Sequence, residues 1–205
     1  INITPLLEKL IANNINIVTP KTLPKRKLEN RILTQFNTME KGVYGTTHPA
    51  NPTEYTGEFD LIIIPGSKST LADLKQIRTE GWDVDIAAHH RRGGYVVGLC
   101  GGYQMLGCQI SDPDGIEGDP SEANGLGLIN ISTVIRGNKI LLETTGFEID
   151  TGKPVKGYEM HIGKTSGPGL DKPWIRLEDG RNEGAVSNDG RVRGTYLHGV
   201  FSSDA

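Results

Sequence analysis

From residue 60 onward, short apolar runs alternate with stretches in which apolar residues recur at helical spacing. Leu61–Ile64 is a continuous apolar run ended by Pro65, and such runs are typical of buried strands in a parallel sheet. Thr70 and Asp73 resemble a capping box and predict a helix that continues to about residue 79. The spacing of apolar residues likewise predicts a helix at 82–91, a buried strand at 94–99 and a helix at 102–108. Alternating strands and helices indicate an α/β domain with a parallel sheet.

The apolar pattern changes beyond residue 112. Residues 112–127 form an acidic segment rich in glycine and proline, which is typical of a loop beside a functional site. Further strands are predicted at 128–135, 139–149, 155–161, 174–177 and 192–198. We expect this half of the chain to supply antiparallel strands that extend the sheet or cover one of its edges.

The N-terminal part of the chain is less regular. Residues 1–59 show no clear pattern over most of their length, so we treat them as an N-terminal segment or linker and place a domain at 60–205. The chain starts with Ile1 rather than Met, which predicts a fragment of a longer polypeptide. No helical pattern follows residue 201, so we expect the domain to be truncated at its C-terminal end.

Composition and charge narrow the class of protein. The 205 residues are 36% hydrophobic and 23% charged, as in ordinary globular proteins. A net charge of -3 gives no reason to expect nucleic acid or a membrane as a partner. No apolar run approaches the ~20 residues of a membrane span, and no signal peptide is recognisable. Two cysteines do not make a disulfide framework in a chain of this length, which favours the cytoplasm.

Cys100 has the setting of a nucleophile. It follows the predicted strand 94–99 directly, and three glycines lie within two residues of it. A nucleophile on a sharp strand-to-helix turn needs neighbours without side chains, because the backbones approach closely there. The following helix would favour the thiolate, and the N–H of Gly101 would stabilise an oxyanion. An inert buried cysteine is the alternative. The glycines favour the nucleophile for Cys100, whereas Cys108 is interpreted as structural.

A thiol nucleophile needs a general base. Of the five histidines, His161 and His198 each lie at the end of a predicted strand. A histidine in that position is more often structural when it stands alone. Two of them in a chain with an activated cysteine indicate that one forms the ion pair, and the pattern leaves open which.

The segment around Cys100 resembles the class I (triad) glutamine amidotransferases, whose nucleophile turn reads Gly-x-Cys-x-Gly-x-Gln. The matching residues are Gly98, Cys100, Gly102 and Gln104. The likeness covers roughly residues 60–201 and implies a flavodoxin-like α/β fold. Such a fold has a mostly parallel open sheet with helices on both faces, here with extra antiparallel strands in the C-terminal half. The likeness also implies that Cys100 is the nucleophile, that Gly101 donates to the oxyanion and that Gln104 contacts bound glutamine.

Further site residues follow from the same resemblance. The Pro-Gly-Ser sequence at 65–67 is similar to the loop that provides the second oxyanion donor, here Gly66, and His198 matches the general base. Most members of the wider family carry a Glu two residues after this His, where the present chain has Val200. The orienting role then falls to another acid, a backbone carbonyl or nothing. Glu159 is a possible orienting acid, and a solvated strand position is an equally good interpretation of it.

Three separated motifs resemble the cobyric acid synthase branch of that family. They lie at 64–70, 112–118 and 157–163. The likeness implies a glutaminase that supplies ammonia to an ATP-dependent ligase domain, in the same polypeptide or complex, for amidation of corrin-ring carboxylates. No phosphate-binding loop sequence occurs in this chain. ATP and magnesium are therefore expected only in the ligase domain, and no cofactor or metal is expected here.

Other functions are compatible with the sequence. A sister amidotransferase would share this glutaminase half, such as cobyrinic acid a,c-diamide synthase or the enzyme that amidates a cell-wall lipid precursor. A module that binds glutamine or a partner without turnover is also compatible, because Val200 stands where most family members carry the orienting Glu. A cysteine hydrolase or peptidase on a similar turn is disfavoured by Gln104 and by the loop at 65–67.

Overall fold

A computed structural model describes residues 61–137 and 140–201 of the chain. The segment 1–59 and the C-terminal residues after 201 lie outside the described residues. The helices are α1 (Thr70–Thr79), α2 (Trp82–Arg91) and α3 (Gly101–Met105), and a 3-10 turn lies at Pro168–Asp171. The strands are β1 (Leu61–Ile64), β2 (Tyr95–Leu99), β3 (Gln109–Asp112), β4 (Ser121–Asn124), β5 (Ser132–Val134), β6 (Ile140–Glu148), β7 (Pro154–His161), β8 (Lys164–Ser166), β9 (Ile175–Leu177), β10 (Asn182–Glu183), β11 (Ala185–Val186), β12 (Val192–Thr195) and β13 (Leu197–His198). None of the helices in these ranges is long and apolar enough to cross a membrane.

Three parallel strands lie in a four-stranded sheet, in the order β1-β2-β12-β11. β2 is parallel to both of its neighbours, with Val96 opposite Ile62 on one side and Val192 on the other. The fourth strand, β11, is antiparallel to β12. Parallel neighbours need a crossover connection, and α1 and α2 supply the one between β1 and β2. The predicted α/β class with added antiparallel strands is confirmed.

Side chains alternate across this sheet and build two apolar clusters. Val96 lies in the larger cluster, to which all three helices contribute and which includes Leu74 and Ile86. Val97 lies in the smaller cluster on the opposite face, with Ile175 and Leu197 from antiparallel strands. In the described residues, the helices therefore cover one face of the parallel sheet and antiparallel strands cover the other.

The antiparallel strands form a five-stranded sheet, in the order β10-β9-β6-β7-β13. A further sheet has the order β4-β3-β5-β8. The strand predicted at 192–198 is interrupted, and its two parts, β12 and β13, lie in different sheets. The interruption has a physical cause, because Tyr196 N–H donates to the Glu183 carboxylate at 2.7 Å and Leu197 N–H to the Thr195 hydroxyl at 2.9 Å. This break directs the end of the chain away from the parallel sheet.

Three other sequence-predicted elements differ from the structure. The helix predicted at 102–108 is the shorter α3, the loop predicted at 112–127 contains β4, and the strand predicted at 128–135 contracts to β5. The remaining predicted helices and strands agree with the structure to within about one residue at each end, as expected for pattern-based bounds. The short strands β3, β8, β10 and β11 were not predicted.

The start of α1 differs from the predicted capping box. Ser69 is the N-cap residue, and its side chain makes no capping hydrogen bond. The Asp73 carboxylate accepts a hydrogen bond from the Ser67 hydroxyl, at 2.5 Å. The first helical N–H, that of Thr70, donates to the Glu117 carboxylate, also at 2.5 Å. A side chain from the distant acidic loop therefore satisfies the helix start.

Candidate active site

Cys100 lies on a strained turn between β2 and α3. Its φ of 52° and ψ of -112° make it the one non-glycine residue with positive φ in the described part of the chain. A Cβ on Gly102 would lie 2.0 Å from the Ile64 carbonyl oxygen, and one on Gly98 would lie 2.7 Å from that of Gly102. Strained backbone of this kind clusters at functional sites, where the surrounding packing maintains it. The turn has the sharp form that the glycine pattern predicts.

Cys100 and His198 meet at one backbone carbonyl. The Cys100 thiol donates to the Met160 oxygen, with Sγ at 3.2 Å, and His198 Nε2 lies 3.3 Å from the same atom. A Cβ on Gly66 would lie 3.4 Å from Cys100 Cβ and 3.7 Å from His198 Cε1, so Gly66 borders both side chains. The structure thus brings three of the sequence-predicted site residues together.

The antiparallel sheet holds His198. This residue is 9% exposed and pairs in register with Tyr158 of β7. The two rings are stacked, with centroids 5.1 Å apart and an interplanar angle of 7°. Gly157 permits the close approach of the strands, because a Cβ there would lie 1.9 Å from the His198 carbonyl oxygen. The imidazole is thereby confined to one plane beside the Met160 carbonyl.

Glu159 lies on the other face of β7. Side chains alternate along a strand, so Tyr158 and Glu159 point to opposite faces. The Glu159 carboxylate contacts His161 Nε2 at 3.2 Å and Arg181 Nη1 at 3.0 Å. The hydrogen bond from His161 lowers the pKa of Glu159, burial opposes that shift, and Arg181 lowers the pKa further. The structure therefore places this carboxylate and His161 together, on the face of β7 that points away from His198.

Gln104 links several elements in the interior. Its side chain is 3% exposed. Nε2 donates to the Ile162 carbonyl at 3.1 Å and to the Tyr196 hydroxyl at 3.3 Å. Oε1 lies 3.3 Å from the Thr70 hydroxyl, whose one proton it shares with the Glu117 carboxylate. These bonds connect α3 with the start of α1 and with residues that follow β7 and β12. The predicted contact between Gln104 and bound glutamine stays a prediction.

Gly66 and Gly101 lie where the loop after β1 meets α3. A Cβ on Gly101 would lie 2.8 Å from Ser67 Cβ and 2.9 Å from Ser67 N, so this loop packs directly on the helix start. The Asp73 carboxylate accepts a hydrogen bond from the Ser67 hydroxyl. Burial raises the pKa of Asp73 to about 6; the Ser67 hydrogen bond opposes the shift and the nearby charge of Glu117 adds to it. The two glycine N–H groups stay predicted oxyanion donors.

The chain matches a known family over most of its length. Residues 32–205 fit the family model described as the CobB/CobQ-like glutamine amidotransferase domain. The chain belongs to this family. It is a glutamine amidotransferase domain, and the resemblance inferred from the nucleophile turn is confirmed. The matched region begins inside the N-terminal segment, and the division at residue 59 stays a prediction.

Two curated relatives of this amidotransferase domain are named cobyric acid synthase. The relative from Ruegeria sp. (strain TM1040) is 56% identical over 149 residues, which cover 73% of this chain and 31% of the relative. The relative from Methylocella silvestris (strain DSM 15510) is 57% identical over 145 residues, which cover 71% of this chain and 30% of the relative. The chain therefore spans under a third of the length of the curated relatives that it matches.

Solved structures share the fold of the amidotransferase domain. One described as the crystal structure of a glutamine amidotransferase is 18% identical, has a TM-score of 0.53 and covers 89% of this chain and 88% of its own. The structure of PurLQS from Thermotoga maritima is 19% identical, with a TM-score of 0.50 and a coverage of 69% of each chain. At these identities the likeness shows a common fold.

Two groups that contact the His198 side chain were missed by sequence reasoning. Tyr158 and the Met160 carbonyl both belong to the motif at 157–163. The resemblance of this motif to cobyric acid synthase gave neither residue a role in the site. The available signal was a glycine followed by an aromatic residue inside a predicted strand. That combination is typical of a place where another backbone approaches closely.

Glu117 was also missed, although it lies in the second motif. Its carboxylate accepts from the Thr70 hydroxyl at 3.1 Å as well as from the Thr70 N–H. Asp112 shapes the loop, because its carboxylate accepts from the N–H groups of Ile116 and Glu117, each at 2.8 Å. Burial raises the pKa of Glu117, and the two hydrogen bonds from Thr70 oppose that shift. The acidic loop is thus held against Thr70, next to Gln104.

Cys108 was predicted to be a buried structural residue on the helix after Cys100, and this prediction is wrong. The helix ends at Met105, and Cys108 is exposed. Its N–H donates to the Ile131 carbonyl at 2.7 Å, so the chain has already left the helix at this point. Neither Cys100 nor Cys108 forms a disulfide bond. Cys108 therefore offers an internal control for any experiment on Cys100.

Proposed function

We propose that this chain is the glutaminase half of a cobyric acid synthase, which hydrolyses glutamine to glutamate and ammonia. The observation that carries the proposal is the meeting of Cys100 and His198 at the Met160 carbonyl, with Cys100 on a strained turn between glycines. A thiol beside an imidazole can form the ion pair that a cysteine nucleophile needs. Membership of the amidotransferase family makes glutamine the expected substrate.

The proposed reaction is acyl transfer through a thioester. His198 takes the proton of the Cys100 thiol, and the thiolate attacks the side-chain amide carbon of glutamine. N–H groups at Gly66 and Gly101 stabilise the resulting oxyanion. The intermediate collapses as His198 returns the proton to the leaving nitrogen, which departs as ammonia. His198 then deprotonates a water molecule that attacks the thioester, and glutamate leaves as the thiol takes the proton back.

The ammonia has a proposed use in ATP-dependent amidation of corrin-ring carboxylates during cobalamin synthesis. The names of the curated relatives support this assignment, as do the three motifs that resemble cobyric acid synthase. The ligase domain, with its ATP and magnesium, is proposed as the partner in the same polypeptide or complex. Two cysteines that form no disulfide in the described part of the chain fit the proposed cytoplasmic setting.

The test separates glutamine use from amide ligation. This chain is combined with the ligase portion of a cobyric acid synthase, and corrin amidation is followed with either glutamine or ammonium chloride as the nitrogen source. We expect Cys100→Ser to abolish the glutamine-driven reaction and to retain the ammonium-driven one, because free ammonia needs no glutaminase. Glutamine-driven amidation by Cys100→Ser would contradict the role of Cys100. If glutamate is still formed but no corrin is amidated with either nitrogen source, the proposal that corrin carboxylates accept the ammonia would be contradicted.

A further inference from the structure

The segment 157–163 contacts the proposed catalytic pair with one face and the protein interior with the other. On the site face, the Tyr158 ring stacks on the His198 imidazole and the Met160 carbonyl receives both Cys100 and His198. The Tyr158 side chain lies on the face of β7 opposite to Glu159, because side chains alternate along a strand. This motif therefore surrounds the imidazole, although the proposed reaction assigns no step to it.

The Met160 carbonyl is suited to receive a protonated imidazole. A carbonyl oxygen only accepts hydrogen bonds, and it has two lone pairs, so it can accept from the Cys100 thiol and from His198 Nε2 at once. When His198 takes the thiol proton, both of its ring nitrogens carry hydrogen. Nε2 at 3.3 Å then donates to the carbonyl, whose partial negative charge favours the imidazolium.

The Tyr158 ring sets the plane of the imidazole. Its near-parallel stacking leaves the histidine little freedom to rotate, and an aromatic face attracts a cation that lies over it. The contact needs the ring rather than the hydroxyl. Gly157 brings β7 close enough for the stacking, since any side chain there would meet the His198 backbone.

The opposite face of the segment is anchored. Glu159, 5% exposed, is bound by His161 and by Arg181. The His161 ring in turn stacks on Tyr196, with centroids 3.9 Å apart. The Met160 N–H donates to the Tyr196 carbonyl at 3.4 Å. These contacts hold the peptide units on both sides of Met160, so its carbonyl has a fixed direction.

We propose that Tyr158 and the Met160 carbonyl are the positioning groups of His198, which hold its imidazole in the plane and direction needed to form the ion pair with Cys100. This inference rests on the proposed function, because it assigns the positioning of the same two residues. The anchors on the other face, Glu159 and His161, act through the Met160 peptide and are positioning residues of a second kind.

The test compares Tyr158→Phe with Tyr158→Leu in a Cys108→Ser background, where Cys100 is the remaining thiol. The rate of Cys100 alkylation by iodoacetamide is measured against pH. We expect Tyr158→Phe to stay within about twofold of the parent, because the ring is retained. Tyr158→Leu should be alkylated about tenfold more slowly at pH 7, because a weaker ion pair raises the Cys100 pKa and leaves less thiolate. Equal rates for the two variants would overturn the proposal.

The same readout separates this inference from the proposed function. Alkylation reports the coupling of Cys100 to His198 whether or not glutamine is hydrolysed. Slow alkylation of Tyr158→Leu, with no glutamate formed by the parent, would uphold the positioning and contradict the glutaminase. In the glutaminase assay we expect Tyr158→Leu to lower kcat about tenfold with little change in KM, since the ring acts on the imidazole rather than on substrate binding.

A measurement on the unaltered protein covers the case in which Tyr158→Leu does not fold. Nitrogen-15 NMR of the histidine rings reports which nitrogens of His198 carry protons. Below the pKa of the imidazole, we expect the Nε2 proton to be visible and protected from exchange with water by the Met160 carbonyl. An Nε2 proton that exchanges as fast as that of an exposed histidine would overturn the proposal.

Discussion

The two members of the proposed catalytic pair are positioned by different means. Consecutive residues position Cys100, because glycines on either side of it let the turn pack against the backbone after β1. Strands that are far apart in sequence position His198, since β13 pairs with β7 and the Tyr158 ring lies against the imidazole. The glycines that permit the nucleophile turn are therefore adjacent to Cys100 in sequence, whereas the residues that hold the histidine are not, although tertiary contacts complete both.

This difference determines how each side can be disturbed. Near Cys100, the sensitive groups are backbone atoms in close contact, and any added side chain displaces them. Near His198, a single close backbone contact at Gly157 is joined by a ring stack and by an ionic anchor on the far face of β7. Loss of a close-packed glycine is therefore expected to destabilise either side, whereas the buried acids beside the two sides are expected to act with opposite sign.

The largest effects are expected where a glycine keeps two backbones in contact. In Gly102→Ala the new Cβ lies 2.0 Å from the Ile64 oxygen, and in Gly157→Ala it lies 1.9 Å from the His198 oxygen. We expect each substitution to lower the free energy of unfolding by about 3 kcal/mol or more, because backbone atoms cannot move aside as the end of a side chain can. Chemical denaturation of the two variants measures these changes.

Gly118→Ala is the matched control for both substitutions. A Cβ on Gly118 meets nothing within 4 Å, so its effect on stability should stay within about 0.5 kcal/mol. Wild-type stability of Gly102→Ala would contradict the close packing at the nucleophile turn. Wild-type stability of Gly157→Ala would contradict the close approach of β7 and β13.

Smaller effects of opposite sign are expected for one buried acid on each side. The pKa of Glu159 is lowered, so its ionised form stabilises the fold above pH 4.5 and this contribution is lost as the pH falls through the folded pKa. The pKa of Asp73 is raised from 3.8 to about 6, so the fold loses stability as the pH rises through that window. At pH 7, Glu159→Gln should destabilise by about 2 kcal/mol, whereas Asp73→Asn should stabilise by a smaller amount.

Thermal unfolding between pH 3 and pH 8, with the wild type beside both variants, measures this pair of effects. The deficit of Glu159→Gln should shrink below about pH 4, and the gain of Asp73→Asn should disappear there as well. Asn can still accept the Ser67 hydroxyl, so the substitution removes charge and keeps the hydrogen bond. A change of the same sign for both variants at pH 7 would contradict the contrast between the two sides.

The difference between local and tertiary positioning also explains what the sequence could predict. Glycines adjacent to Cys100 predict the sharp turn, and the apolar run before it predicts the buried strand. Both features could therefore be inferred from the sequence. The role of the Met160 carbonyl was not predicted, because a backbone carbonyl has no residue signature. The stacking of Tyr158 on His198 follows from strand pairing, which the pattern of either strand alone does not contain.

The segment 128–135 shows the same limit of prediction from sequence. It was predicted as one strand, yet only Ser132–Val134, near its C-terminal end, joins a sheet. Ile129 and Ile131 are buried in the larger cluster, while the N–H groups of Leu128 and Ile129 donate to the Leu106 carbonyl beside α3. An apolar pattern reports burial, and burial does not require that the backbone pair with a strand.

The most direct test of the glutaminase assignment is glutamate release from glutamine by this chain together with a ligase portion. Wild type, Cys100→Ser and Cys108→Ser are assayed side by side, with circular dichroism to confirm that each is folded. We expect release by the wild type and by Cys108→Ser, and a loss on the order of 10^4-fold in Cys100→Ser, as for other essential nucleophiles. Equal release by Cys100→Ser, or no release by the folded wild type, would contradict the glutaminase assignment.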